Sequence, residues 1–391
     1  MNVQQLGEQI KILAALPETE APVVSCYIDL TDRDPQARRH LHYRATQLAG
    51  EVSEHNRQRQ IGEAVGQIWR YLDEEVKSTS RGLAIFARSG KTPFMLPLQL
   101  PVSVPNWISI DTVPNIYHLV ELKDTYHRYV VLLADRASAR VFEVNLGSVT
   151  TNLWLQQPEL RARVGREWTR LHYQNHRRDR GRRFIKEKIG VLERLMSQGG
   201  HTHLILAGDP RRLAEIRQHL PKRLENRLTD TVTLSRGAKE DEVVAATLES
   251  FIKNAQHEAD ALIERLLNAF YKGDLVAVGP AETMQALLRS QTDAVLLTDS
   301  CQPGPVRWCQ VCGWAAVGHP LPDTCAECGS IELRDRSDAR EEIVRLAQAE
   351  HCRLDIVKST KQLRTLGDCG ALLRYNAAYS GAPATETLVN D

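Results

Sequence analysis

Cys309-x-x-Cys312 and Cys325-x-x-Cys328 are two CxxC pairs with twelve residues between them. Four thiolates at this spacing can converge on one tetrahedral metal, and soft sulfur ligands favour zinc. Gly313 and Gly329 follow the second cysteine of each pair, where a tight turn calls for positive φ. With every ligand a thiolate, no position stays open for water, so such a metal would be structural rather than catalytic. Disulfides or plain buried thiols are the competing readings. The other four cysteines, Cys26, Cys301, Cys352 and Cys369, are scattered and read as buried thiols. The first residues lack the basic and apolar regions of a secretory signal. A thiolate zinc site in such a chain suits a reducing cytoplasm.

The second chemical signal is charge. Between Arg161 and Lys188 stand eleven basic and three acidic residues, a net charge of +8 in a chain whose formal total is +1. Nine of the eleven are arginines, which grip phosphate in forks rather than merely confer solubility. Such a block faces a polyanion, or else it is a solvated helix face. Its candidate RNA contacts are Arg163, Gly165, Arg166, Arg170, Arg177, Arg178, Arg182 and Arg183. Arg57 and Arg59 sit in a short polar stretch between two expected helices and are candidates too, against a plain exposed turn. No apolar run approaches the roughly 18 residues that would cross a bilayer.

These groups must be held by an α/β framework. Strands are expected at Val23–Leu30, Arg81–Ala87, Tyr129–Ala134, Ala139–Val144, His203–Gly208, Thr231–Leu234, Ala294–Thr298 and Leu354–Val357. Helices are expected at Val3–Leu16, Pro35–Glu54, Ile61–Val76, Phe184–Met196, Asp241–Phe270 and Asp338–His351. At 391 residues the chain exceeds one ordinary domain. The order of elements divides it into three α/β domains, 1–124, 125–272 and 273–391, each a mixed or parallel sheet with helices. The third carries the cysteine insertion at about 305–332.

This order resembles the archaeal and eukaryotic class I peptide-release factors and their relative pelota. The middle third matches the family's central domain in its hairpin at Tyr129–Val144, its long basic helix and the strand Leu204-Ile205-Leu206-Ala207-Gly208. Near the end, Gly367-Asp368-Cys369-Gly370-Ala371-Leu372-Leu373-Arg374-Tyr375 is similar to the family's GIGGILRY-type ending. Trp168-Thr169 and Tyr173-Gln174-Asn175-His176 look more like the bacterial branch, which includes Balon-type ribosome-hibernation factors. The resemblance implies binding in the ribosomal A site against ribosomal RNA, engagement of a translational GTPase such as EF-Tu, a monomer, and no membrane.

The departures from the family bear on activity. Release factors carry a Gly-Gly-Gln loop before the long helix, where the glycines allow close backbone approach and the glutamine places water. Here the segment reads Arg163-Val164-Gly165-Arg166-Glu167-Trp168-Thr169-Arg170. Gly199-Gly200 follows the helix and reads as a turn. The stop-codon loop is replaced by His55-Asn56-Arg57-Gln58-Arg59, and Tyr117–Leu122 lacks the family's cysteine. The resemblance therefore implies a non-catalytic factor of hibernation or stalled-ribosome recognition, with no catalytic residue assigned. The alternative is a peptidyl-tRNA hydrolase using Glu167, Thr169, His172 or Gln174 to place water. No carboxylate cluster supports a nuclease.

Overall fold

The computed structural model describes residues 2–32, 34–126, 128–135, 138–156, 170–198, 201 and 203–375. Contacts divide the chain into two compact units. One gathers Met1–Gln9, Glu20–Ile110 and Glu121–Glu258, the other Ile10–Thr19, Asp111–Val120 and Ala259–Asp391.

The chain begins with helix α1 (Val3–Ala14), strand β1 (Val23–Asp29) and helices α2 (Pro35–Glu51) and α3 (His55–Glu74). Strands β2 (Gly82–Arg88), β3 (Phe94–Leu100) and β4 (Trp107–Asp111) complete a sheet of order β3-β2-β1-β4, with β1–β2 and β2–β3 antiparallel. Asp34 starts α2 by accepting the Gln36 N–H at 2.8 Å, and Pro35 at the first turn gives up no bond. Alternate residues of β1 and β2 point to one face. Val24, Cys26, Ile28, Leu83, Ile85 and Ala87 there meet Leu41 and Ala45 of α2 and Ile61, Ala64 and Ile68 of α3. Helix α3 starts six residues before the expected Ile61, so only Val52–Glu54 separate it from α2. The Gln58 amide closes this turn on the Val52 carbonyl at 2.7 Å.

Helix α4 (Tyr117–Thr125) leads to β5 (Tyr129–Ala134), β6 (Ser138–Asn145) and β7 (Ser148–Gln156), the last a strand that the sequence reading left out. Its threonines and asparagine mask the alternation on which such readings rest. Helix α5 (Arg170–Gln198), β8 (His203–Gly208), α6 (Pro210–Arg217), the short α7 (Lys222–Glu225), β9 (Leu228–Thr233) and α8 (Glu240–Lys272) follow. The sheet order is β7-β6-β5-β8-β9, antiparallel on the hairpin side and parallel from β5 to β9. Both faces are covered, which is why β5 is apolar throughout. Val130 and Leu132 pack on Ile185, Ile189, Leu192 and Met196 of α5. Tyr129, Val131 and Leu133 face Val243 and Phe251 of α8, with the Tyr129 and Phe251 rings stacked at 5.5 Å.

The second unit holds β10 (Val276–Val278), α9 (Pro280–Leu288), β11 (Thr292–Thr298), then β12 (Val306–Cys309), β13 (Ala315–Val317) and β14 (Leu333–Arg336). Helix α10 (Ala339–Ala349), β15 (Arg353–Val357), α11 (Lys361–Thr365) and β16 (Cys369–Leu373) end it. The main sheet runs β10-β16-β11-β15, with β11–β15 parallel and β16 antiparallel to both neighbours. Leu296, Val357, Leu363 and Leu372 bury against Leu262, Ile263, Leu266 and Leu267 of α8. Strands β13-β12-β14 form a separate antiparallel ribbon inserted between β11 and α10. No described helix is long and apolar enough to cross a membrane.

The first turn of α10 hides a carboxyl group. Both oxygens of Glu341 are shut off from solvent, although its side chain as a whole is 17% exposed. Burial pushes this carboxyl up to about 8, against the opposing pull of the Arg340 charge at 3.6 Å. The folded state therefore holds its proton more tightly than the unfolded chain, whose carboxyl titrates near 4.5. Stability from this group is full below pH 4.5 and is lost as the pH rises toward 8. Glu341→Gln is expected to melt progressively higher than the parent protein as pH rises through that window. Equal melting shifts at pH 5 and 8 would show that the carboxyl is ionised in the fold.

Candidate metal centre and nucleic-acid interface

The cysteine ribbon is built from two turns of the same design. In the first, the Gly313 N–H reaches the Cys309 carbonyl at 3.1 Å and the Cys309 N–H reaches the Trp314 carbonyl at 2.8 Å. In the second, Gly329 bonds to Cys325 at 3.0 Å and Cys325 to Ser330 at 2.9 Å. Gly313 and Gly329 have φ of 72° and 71°, as their place after each CxxC requires. Each turn thus turns two sulfurs inward. All four Sγ atoms lie within 4.8 Å of one another, with Cys309–Cys328 at 3.6 Å and Cys312–Cys325 at 3.4 Å.

These separations fit a metal. A tetrahedron with Zn–S of about 2.3 Å needs sulfurs roughly 3.8 Å apart, whereas a disulfide needs about 2 Å. All eight cysteines are free thiols. Burial raises Cys309, but the N–H groups of Cys312 and Val311 outweigh it and bring the thiol down to about 7. Burial takes Cys312 the other way, up to about 12. Thiols this close compete for protons, and a dication among them would favour all four thiolates. Cys309, Cys312, Cys325 and Cys328 would hold such an ion as a cross-link with no open position. The remaining cysteines are buried as expected, and burial pushes Cys26 and Cys301 up to about 12 and Cys352 to about 11. They are unreactive at neutral pH.

The ribbon is anchored by charge. Arg289, just past α9, donates to the Cys312 carbonyl at 3.3 Å and to Glu327 at 2.7 Å. On β14, Arg334 and Arg336 both reach Glu18 at 2.8–3.0 Å. Arg336 also lies 3.5 Å from Glu342, whose carboxylate takes a two-point grip from Arg345. This network was not read from the sequence. The Arg-x-Arg alternation on a strand was its one local sign, and Glu18 lies more than three hundred residues away.

The candidate RNA contacts fare unequally. Arg163, Gly165 and Arg166 lie outside the described residues, as do Glu167, Thr169 and the Gly199-Gly200 pair. Arg170, Arg177, Arg178, Arg182 and Arg183 all fall on α5, and Arg183 is exposed. Among the described residues the helix begins at Arg170, so the long basic helix that Phe184–Met196 was expected to continue is regular backbone from Arg170 onward. Burial on α5 falls at Phe184, Ile185, Lys188, Ile189, Leu192 and Met196, the 3–4 spacing of a helix lying on a sheet. Lys188 therefore leaves the basic block. Its side chain is buried, its Nζ donates to the Asp135 carbonyl at 3.1 Å and lies 4.2 Å from the Phe184 ring centre, and burial brings it down to about 8.

Arg57 and Arg59 are in the opening turns of α3 rather than in a loop. Arg57 pairs with Glu54 at 2.8 Å and Arg59 with Glu63 at 3.6 Å. Both pairs are solvent-exposed and weak, so either guanidinium can exchange its partner for a phosphate. Glu54 stands at the helix N-terminus, where a carboxylate is favoured, and this explains why the helix begins there without a serine or threonine cap.

Residues 114–252 match the family model described as bacterial archaeo-eukaryotic release factor family 10. No curated protein matches the chain. Among solved structures, the archaeal translation termination factor aRF1 is 15% identical, with 96% of this chain and 99% of that one covered and a TM-score of 0.28. Pelota of Archaeoglobus fulgidus is 13% identical over 96% of this chain and 93% of its own, with a TM-score of 0.33. A model of ribosome-bound archaeal Pelota and ABCE1 gives 13% identity, 95% and 94% coverage, and a TM-score of 0.41. Likenesses this distant carry no argument about activity. Through residues 114–252, which take in the β5–β9 sheet and the basic helix, the chain is release-factor-like, of the bacterial archaeo-eukaryotic type.

Proposed function

We propose that this protein is a non-catalytic factor that binds the ribosomal A site, acting in ribosome hibernation or in recognition of stalled ribosomes. The observation that carries this reading is the release-factor match over 114–252 in a chain whose segment before the long helix reads Arg163-Val164-Gly165-Arg166 instead of Gly-Gly-Gln. A bulky, charged tip suits RNA phosphate better than a neutral ester. Arginine at 170 has no acceptor with which to take a proton from water. In this reading the chain is a monomer of the cytoplasm with domains at 1–124, 125–272 and 273–391. Zinc on the four cysteines is structural, the arginines of α5 with Arg57 and Arg59 meet ribosomal RNA, and a translational GTPase such as EF-Tu is the delivery partner.

Co-sedimentation with ribosomes over a range of salt tests the proposal. If about four phosphates are neutralised, log K falls against log salt with a slope of roughly −3. Replacing Arg177, Arg178, Arg182 and Arg183 by glutamine flattens that slope and weakens binding on the order of a hundredfold at low salt. Lys188→Met, which removes a buried charge, leaves the slope as it was. Unchanged affinity in the quadruple variant would reduce the block to a solvated helix face. Labelled peptidyl-tRNA on the same ribosomes should stay intact; rapid peptide release, lost in Glu167→Gln, would establish the hydrolase instead.

A further inference from the structure

Burial sorts the four ribbon cysteines into two kinds. Cys309 and Cys325, the first of each CxxC pair, are 1% and 3% exposed, whereas Cys312 is half-buried and Cys328 is open to solvent. The sulfurs are also matched across the ribbon. Among the described residues both hydrogen bonds between thiols, Cys309–Cys328 at 3.6 Å and Cys312–Cys325 at 3.4 Å, run from one turn to the other. Each joins a buried sulfur to a more accessible one. Inside the second turn the contact is of another kind, from the Cys328 N–H to the Cys325 sulfur at 3.5 Å.

Contacts that need no metal set the two turns in register. Cys309 stands opposite Leu333 in the β12–β14 ladder, and the Gln310 N–H donates to the Glu332 carbonyl at 3.0 Å. Arg289 spans both turns, through the Cys312 carbonyl and the Glu327 carboxylate. To become a disulfide, each cross-turn pair has only to close from 3.4–3.6 Å to about 2 Å, a shift within the reach of side-chain rotation. The two bridges would nest, Cys312–Cys325 inside the loop closed by Cys309–Cys328, and each would tie one turn to the other as a metal does. A bridge within one CxxC would tie nothing to the opposite turn.

We propose that the ribbon is a reversible thiol switch, in which hydrogen peroxide converts the four thiolates into the nested disulfides Cys309–Cys328 and Cys312–Cys325, releases the metal and leaves the ribbon closed. In each pair the more accessible thiolate, Cys328 or Cys312, attacks a peroxide oxygen. The O–O bond breaks, a sulfenic acid forms and hydroxide leaves. The buried partner then attacks that sulfur, the S–S bond forms and a second hydroxide leaves. Each pair gives two electrons to one peroxide, and two protons from solvent turn the hydroxides into water. Because the resolving sulfur is already in contact, condensation outruns a second oxidation to sulfinic acid. The proposal needs the four cysteines to converge; it does not need the ribosome reading.

The zinc-loaded full chain, treated with a few equivalents of hydrogen peroxide and alkylated under denaturing conditions, provides the test. Free thiols should fall from eight to four, with Cys26, Cys301, Cys352 and Cys369 still reduced inside the fold. A chromogenic chelator should collect one equivalent of zinc. Cleavage at Asp323 and Glu327 places Cys325 and Cys328 on separate peptides, and fragmentation should find the first on Cys312 and the second on Cys309. Tryptophan emission should stay where it was, in contrast to the red shift on chelation of the reduced protein, and a dithiol with zinc should restore the starting state. Bridges within a turn, or Cys309–Cys325 with Cys312–Cys328, would overturn the proposal. So would sulfinic acid as the main product, a red-shifted spectrum after oxidation, loss of the four scattered thiols first, or eight thiols persisting in excess peroxide.

Discussion

Substituting Cys309 or Cys325 by serine is expected to abolish metal binding and unfold the ribbon while the rest of the second unit stays intact. Structural zinc held by thiolates contributes on the order of 10–16 kcal/mol at neutral pH, far more than three strands of three or four residues can supply by themselves. The apolar core of the main sheet draws on β11, β15, β16, α8 and α11 and on no ribbon residue, so its cooperative melting should survive. Trp308 packs inside the ribbon under Arg336, at 5.4 Å from the ring centre, and it should become exposed when the strands separate. Elemental analysis after a metal-sparing purification should find one zinc per parent chain. A red shift in tryptophan emission should accompany chelation and be absent from Trp308→Phe. Parent protein with under about half an equivalent of metal and an unshifted spectrum would mean that the cysteines are reduced thiols in a ribbon stable without an ion.

Removing Glu342 should be nearly as damaging by a different route. Its side chain is 1% exposed and answers Arg345 and Arg336, the latter itself only 7% exposed. Glu342→Ala leaves Arg345 without its carboxylate and the buried Arg336 with Glu18 and Asp111 as its remaining counter-charges. Breaking such a buried network costs about 3–5 kcal/mol, enough to lower the melting of this unit by about 10 °C. The exposed pair Arg38–Asp73, though its hydrogen bonds are as short, serves as the control: Asp73→Asn should change nothing measurable. A Glu342→Ala protein that melts with the parent would mean that water reaches the network. Its acid limb is set by Glu18. The hydrogen bond from Arg336 holds that carboxyl down at about 2, aided by Thr112 and the charge of Arg334. Its contribution is complete above pH 4.5 and is lost as pH falls toward 2, so the network persists through neutral pH.

What the sequence by itself determined is what short spacing controls. Two cysteines three apart with a glycine next in line can form only one kind of turn, and both turns appear with the expected positive φ. The strands at Val23, Tyr129, His203 and Ala294 were legible because each buries both faces and is apolar throughout or nearly so. The polar strand β7 was not, because its threonines conceal the alternation. Tertiary structure alone decided which charges are free. Lys188 belongs to the basic stretch by sequence, yet the helix phase fixed by Ile185, Ile189 and Leu192 turns it into the sheet. Arg57 and Arg59 were expected in a loop, but propensity extends α3 back to His55 and gives each a carboxylate one turn away. Glu18 and Arg336 are separated by most of the chain, and nothing in either neighbourhood specifies the other. Local spacing encodes turns and helix faces because the backbone fixes those distances; a pairing between distant residues exists only once packing has brought their elements together.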